Sequence, residues 1–390
     1  MPFTESIYMH GSLKTRAALV ILAVAAITGC ATAPRGAAPG GDDAATFFVT
    51  LGNDTVSAES YRRTGDRVEG MIVRRVPRAT VVRYVMTLAP SGLVSRVVYN
   101  TRLPDGSIPP NGSRSVTVTF TGDSAITEID RDPPTVRRVA AANAYPELDG
   151  GVFHFTRPIA ALRAMNHDSA HFTIYPPGAT QPSGSPVARR DDNRWWIYSF
   201  DNPNEIMTDA ADRLISLDGS RTTFRVKAQR EDYIDLTALA AAFAERERVA
   251  GPLALSPRDS VSASVGNAQL SIGYGRPSAR GRRVWSENGV LGDTLWRTGA
   301  NQSTRFTTTA PLQFESGVLA PNTYMLMTLA VPGRYQLIFY ERDTPVLRVP
   351  LTARALASHV EQFTIRIEPS GMLRLQWAGQ ELVASFRPVP

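Results

Sequence analysis

The chain has 390 residues, of which 43% are hydrophobic and 20% charged, which is enough apolar material for real cores and too much for a wholly disordered polymer. The formal net charge is +6, but the arginines stand among acids, as in Arg62, Arg63, Asp66, Arg67 and Glu69. They form no basic stripe interleaved with aromatics, so nucleic acid is not an expected partner. A single cysteine, Cys30, excludes an internal disulfide, and the fold must stand on burial alone.

Lys14 and Arg16 precede an unbroken apolar run, Ala17 to Ile27. The run is well short of the roughly 20 residues that span a bilayer, so it is expected to be the apolar core of an export signal, with Met9 the effective start. It ends Ile27-Thr28-Gly29-Cys30, which resembles the bacterial lipobox. The resemblance implies cleavage before Cys30, a diacylglyceryl thioether on that sulfur and an acylated new amine, making residues 1–29 a lipoprotein signal peptide. Two or three acyl chains give a stable membrane anchor. Residue 31 is alanine, not aspartate, which implies a periplasm-facing outer-membrane destination in the cell envelope. Residues 30–45 are small and rich in Pro and Gly, and read as a flexible tether.

From Thr46 the text becomes strand-like. Val82, Tyr84, Met86 and Leu88 alternate with Arg83 and Thr87, and Val116, Val118 and Phe120 alternate with threonines, the period of a half-buried sheet. Gly52-Asn53-Asp54, Thr64-Gly65-Asp66, Pro90-Ser91-Gly92 and Thr121-Gly122-Asp123 punctuate the runs. Residues 46–130 are therefore expected to form an antiparallel meander of six or seven strands. Helical spacing appears at 156–166 and more clearly at 235–250, where Asp235 is the expected N-cap and Gly251-Pro252 the stop. Pro176 to Arg194 reads as a long loop, with strands at 195–200 and 221–228. A β-rich domain with two helices (46–252) is thus expected to precede an all-β sandwich or barrel (258–390) with a turn near Ala353–His359. The fold class is mainly β.

Catalytic signatures are scarce. The sequence has no G-x-S-x-G, H-E-x-x-H, P-loop or G-x-G-x-x-G before a helix, so no catalytic residue, cofactor or metal is assigned. His154, His167, Asp168 and His171 are close in sequence but straddle a helix-to-strand transition, so metal binding is not expected. In Trp195-Trp196-Ile197-Tyr198-Ser199-Phe200, alternation puts Trp195 on one face and Trp196, Tyr198 and Phe200 on the other. One face is expected to be core.

The run Tyr274-Gly275-Arg276-Pro277-Ser278-Ala279-Arg280-Gly281-Arg282 is followed by Trp296-Arg297-Thr298-Gly299-Ala300-Asn301, then by LAPNTY at 319–324 and YQLIF at 335–339. Over about 255–385 this resembles the bacterial family called domain of unknown function 2911. That family's pattern is R-P-S-x-K-G-R, W-R-T-G-A-N-E, L-P-A-G-T-Y and W-x-x-I-F-N. Arg280 replaces the lysine, Gln302 the glutamate and Tyr340 the last asparagine. The resemblance implies an exported β-rich domain and no activity.

Arg276, Ser278, Arg280, Trp296, Arg297 and Asn301 are the candidate ligand-binding residues, because arginine forks suit carboxylate or phosphate. The alternative is that they tie loops together. Three functions follow. The first is a non-enzymatic envelope module binding a small-molecule, lipid or glycan ligand. At the level of fold analogy, the N-terminal meander resembles the half-barrels of periplasmic lipid carriers, which predicts a concave sheet plugged by the 235–250 helix. The second is a hydrolase-like enzyme at Arg276, Arg297 and Asn301 with Glu287 or Asp293 as acid or base. The third is an assembly partner docking by a strand edge.

Overall fold

A computed structural model describes residues 42–199, 202–222, 225–286, 289–292 and 295–389. The signal, Cys30 and residues 31–41 of the tether lie outside them, as do Phe200, Glu287 and Asp293; residues 43–45, expected in the tether, belong to the first strand. No helix among the described residues is long and apolar enough to cross a membrane.

Residues 43–231 build one fifteen-stranded sheet. Eight antiparallel strands run in chain order from Asp43–Leu51 to Thr135–Ala140, each paired with the next. The chain then returns through the short strand Ala144–Pro146, which lies parallel to Ser169–Tyr175. It zigzags to Lys227–Glu231, which pairs antiparallel with Asp43–Leu51. The first strand is therefore central, with a seven-strand arm on either side.

The alternation expected for the first arm is present. Val82, Tyr84, Met86 and Leu88 are buried while Arg83 is exposed. The two arms bury their inner faces in a single core, in which Val97, Val118 and Tyr84 join Trp195, Ile197 and Tyr175. Phe120 meets Tyr175 edge-on at 6.1 Å, and Thr127 Oγ1 lies 2.8 Å from the Tyr175 hydroxyl.

Helix α1 (Thr156–Met165) occupies that interior. Ile159 and Leu162 are fully buried, and Asn166 ends the helix in the left-handed region at φ 54°. Helix α2 (Thr237–Ala250) lies on the opposite face. Its Ala240 and Phe243 pack with Ala58, Met71, Val73 and Val81, which are the other parity of the strands that carry Ile72 and Val82 inward. The interior plug is thus α1 and not the 235–250 helix, because Thr156–Met165 offers an apolar stripe and α2 exposes most of its length. Asp235 acts as expected in part: its carboxylate accepts the Thr237 amide at 2.7 Å.

Two further expectations change. Ser183–Arg189 is a strand within the supposed loop, because Val187 finds a buried place and the segment pairs along Ser169–Tyr175. The strand expected at 221–228 begins only at Lys227.

Residues 258–388 form a sandwich. One seven-stranded sheet runs from Arg258–Val265 to Thr344–Pro350. The facing four-stranded sheet is built on the long strands Thr352–Glu368 and Met372–Pro388. Phe306, Phe339, Phe363, Leu375 and Trp377 fill the space between them. The expected turn at Ala353–His359 is instead part of Thr352–Glu368. The polar text marks register shifts between Ala355 and Val360 and between Val360 and Thr364, which let an exposed stretch stay paired.

Candidate functional site

The Trp296–Asn301 motif is a loop held mainly by bonds to backbone. Trp296 Nε1 donates to the Gly299 carbonyl at 2.7 Å. Its ring stacks on Trp377 (5.7 Å) and meets Phe363 and Trp285 edge-on. The Thr298 hydroxyl is buried against Thr328 at 2.8 Å, and the Thr298 carbonyl accepts from Thr304. Arg297 is exposed and donates to the carbonyl of Asn301. Asn301, at φ 63°, reaches the Ser256 carbonyl at 3.4 Å. Gly275 must be glycine, since a Cβ there would sit 2.2 Å from the Ala300 carbonyl oxygen.

Arg276 donates to the Phe363 carbonyl, Asp259 and Thr364. The structure thus brings Arg276, Trp296 and the Phe363 neighbourhood together. Arg297 and Asn301 meet each other through one carbonyl at the rim.

Arg280 and Ser278 go elsewhere. Ser278 is buried and bridges Gln362 in the backbone. Arg280 pairs with Asp54 of the N-terminal body, and its carbonyl accepts the Asn53 amide at 2.9 Å. The turn Gly52-Asn53-Asp54 fits there because Gly52, at φ 60°, has no Cβ to strike the Arg280 carbonyl oxygen at 2.1 Å. Arginine at position 280 therefore joins the two bodies.

The interior of the N-terminal body holds ionisable groups that sequence reading passed over. Glu59 is fully enclosed. Its Oε1 accepts the Tyr84 hydroxyl at 2.7 Å, and its Oε2 accepts the amides of Val152 and Phe153 at 2.6 and 2.7 Å. Burial raises its pKa, partly countered by these donors. Glu59 so fixes the short 3-10 turn Phe153–Phe155 that leads into α1. His154, on that turn, is buried, and burial lowers its pKa to about 3. Its Nε2 has no hydrogen-bond partner among the described residues.

Arg157, in the first turn of α1, is only 4% exposed. Nε donates to Thr156 at 2.9 Å and Nη1 to the Gly92 carbonyl at 3.3 Å, and the guanidinium lies 4.7 Å from the Phe153 ring centroid. Nη2 has no hydrogen-bond partner, and no carboxylate pairs with the side chain, among the described residues. Burial, helped by nearby Arg63 and partly countered by Tyr61, Tyr84 and the Asp43 carboxylate, lowers its pKa to about 10.

Arg157 borders two adjoining cavities. One, of about 210 Å³, is lined by Asp43, Tyr61, Phe153, Thr156 and Leu214, among others. The second, of about 310 Å³, runs along Leu88, Ala89, Pro90, Gly92 and Ala160. Arg63, Arg157, Ala211 and Asp212 border both, so the two lie side by side at the start of α1 and together are called the Arg157 cleft. Asp43 is engaged by Tyr61 and Arg230, and Asp212 by Arg163.

One sequence signal pointed toward this interior. Period two from Tyr61 puts Glu59 on the inner face, where it pairs with Phe47. Arg157 had no such signal, since an arginine before Pro158 reads as a solvated first-turn residue.

The other candidates are dispersed. His167 and His171 are exposed and His154 is interior. Among the described residues no cluster of three or more His, Cys, Asp or Glu side chains is arranged to hold a metal. Trp195 and Ile197 are core. Trp196 and Tyr198 share the outer face, edge-on at 6.2 Å, with Arg190 over Trp196.

Residues 256–386 match the family described as Protein of unknown function (DUF2911). The match falls on the sandwich, and the loop bonds above are those of the DUF2911 region's own motifs. No curated protein matches the chain. Among solved structures the chain is similar to the crystal structure of a DUF1089 family protein from Pseudomonas aeruginosa, at 15% identity and a TM-score of 0.34, over 43% of this chain and 91% of that one.

Proposed function

We propose that the protein is a lipid-anchored envelope module, tethered through Cys30 to the periplasmic side of the outer membrane, that binds a small ligand in the Arg157 cleft without transforming it. The observation that carries the binding reading is a guanidinium almost wholly removed from water that makes no ion pair among the described residues, although Asp43 and Asp212 stand in the same cavity lining, and that borders two adjoining cavities. An unpaired buried ion costs several kcal/mol, by the order of magnitude usual for such groups. A fold that keeps one at a cavity wall is suited to a ligand that supplies the counter-charge. Glu59 supports the reading by holding the turn from which α1 and Arg157 start. The sandwich acts as a platform, joined to the binding body through Arg280 and Asp54.

The test uses the mature full chain in lipid nanodiscs, with thermal unfolding followed against a panel of small acidic, basic and neutral solutes. At least one solute is expected to raise the midpoint, and Arg157→Met is expected to remove that rise. A panel without effect on the wild-type chain defeats the binding reading. The anchor is tested separately by mass spectrometry of the N-terminal peptide, where an unacylated Cys30 thiol defeats it.

A further inference from the structure

Resting on that cleft as the binding site, we infer that its ligand is a monocarboxylate carrying a short apolar arm. The two cavities differ in chemistry. The Arg157 end is polar, with Tyr61, Thr156 and the guanidinium, and Nη2 has no bond among the described residues. A carboxylate matches the planar fork of arginine. Arg63 stands at the same end, but Asp42, likewise without an ion pair among the described residues, offsets its charge, which leaves Arg157 as the charge available to a ligand.

The acids at the same end set the limit on charge. Asp42, Asp43 and Asp212 line the first cavity. Asp43 and Asp212 are neutralised by Arg230 and Arg163, but their oxygens remain close to any incoming anion. One negative charge is met by Arg157, whereas a phosphate dianion would face these carboxylates with its second charge.

The second cavity sets the arm. Leu88, Ala89, Pro90 and Ala160 offer it apolar surface, and no charged group other than those at the junction and Asp66 borders it. Its volume of about 310 Å³ equals roughly ten liquid waters at about 30 Å³ each, which accommodates a chain of hexanoate's length. Moving such a chain from water onto apolar walls is favourable in proportion to the area covered.

The experiment is isothermal titration calorimetry on the mature full chain in nanodiscs, with empty nanodiscs as reference. The probes are hexanoate, acetate, hexanol and hexyl phosphate. Hexanoate is expected to bind at least tenfold tighter than each of the others. Arg157→Met is expected to weaken hexanoate at least tenfold with the unfolding midpoint unchanged or raised, because Met removes a buried charge. Ala160→Leu narrows the arm cavity and leaves the guanidinium in place, so it is expected to bring hexanoate down to the affinity of acetate. That second variant keeps the inference testable if Arg157→Met does not fold.

Hexanol as tight as hexanoate overturns the carboxylate, acetate as tight overturns the arm, and hexyl phosphate as tight overturns the single charge. Each of these leaves the cleft standing as a binding site. Hexanoate binding untouched by Arg157→Met overturns the inference and the cleft together. Silence from all four probes overturns the inference, and the cleft falls with it only if the solute panel is silent as well.

Discussion

The N-terminal body and the sandwich treat charge in opposite ways. Around the first body's plug, Glu59, His154 and Arg157 are enclosed, one held by three donors, one with an orphaned nitrogen and one without an ion pair among the described residues. The sandwich is filled by aromatic rings; of its motif arginines, Arg276 and Arg297 sit at the rim, Arg276 bonded to Asp259 as well as to a carbonyl, while Arg280 is largely buried against Asp54 of the first body and Arg282 bonds carbonyls. Among the described residues its one buried acid, Glu381, is matched by Arg374 and Gln376. The lesson is that a well-marked motif and an unexplained charge are different signals. The motif here is accounted for by the loop bonds it makes, whereas the guanidinium near α1 stands at a cavity wall with no ion pair among the described residues.

The largest expected effects separate the bodies by mechanism. Trp377→Ala removes a fully buried ring from the sandwich and is expected to cost about 3–5 kcal/mol, the range for such truncations, with hexanoate affinity unchanged. Glu59→Leu leaves the Tyr84 hydroxyl and two amides unpaired. At about 1–3 kcal/mol per orphaned buried group, the loss is expected to be roughly 3 kcal/mol or more, and affinity should fall as well because the turn before α1 loses its anchor. Urea unfolding and calorimetry on the same two variants give both numbers. Equal effects of both variants on binding would erase the proposed division of labour.

Next in size is the response to pH, confined to the first body. His154 has a folded pKa of about 3 against an ordinary 6.5. Below about 6.5 the unfolded chain takes up a proton that the folded chain refuses, so stability falls as pH drops toward 3, by about 1.4 kcal/mol per unit. Glu59 has the opposite sign. Its folded pKa is raised from 4.5, so the folded chain holds the proton more tightly and stability declines as pH rises from 4.5 through the folded value. His154→Phe is therefore expected to flatten the acid limb of the stability profile, and Glu59→Gln the limb above 4.5. An acid limb that survives in His154→Phe would place its origin elsewhere.

Much of the fold was legible because its causes are local. Alternation at Val82–Leu88 fixes which face is buried, and the stripe Ile159, Leu162 marks α1. The failures have tertiary causes. Ser183–Arg189 looks like loop because its strand character comes from a neighbour strand. Ala353–His359 looks like a turn because the bulged strand there faces water. The candidate residues of the DUF2911 region were legible as a group, since their order is a linear pattern. The cleft was not, because Arg157 is buried by Gly92 and by residues 211–214, far away in the chain.

The smallest effects concern the rim of the sandwich, and they sharpen the comparison most. Arg276 makes three side-chain bonds, to Phe363, Asp259 and Thr364. Arg276→Ala is thus expected to cost about 1–3 kcal/mol, as for hydrogen bonds made by a charged group. Arg297 is exposed and holds a single neighbouring carbonyl, so Arg297→Ala is expected to stay within about 0.5 kcal/mol, as for ordinary surface changes. Neither is expected to alter hexanoate affinity, because the guanidinium that meets the ligand lies on α1. Loss of binding in Arg297→Ala at unchanged stability would move the site to the sandwich, since an exposed arginine that affects nothing but affinity must touch the ligand.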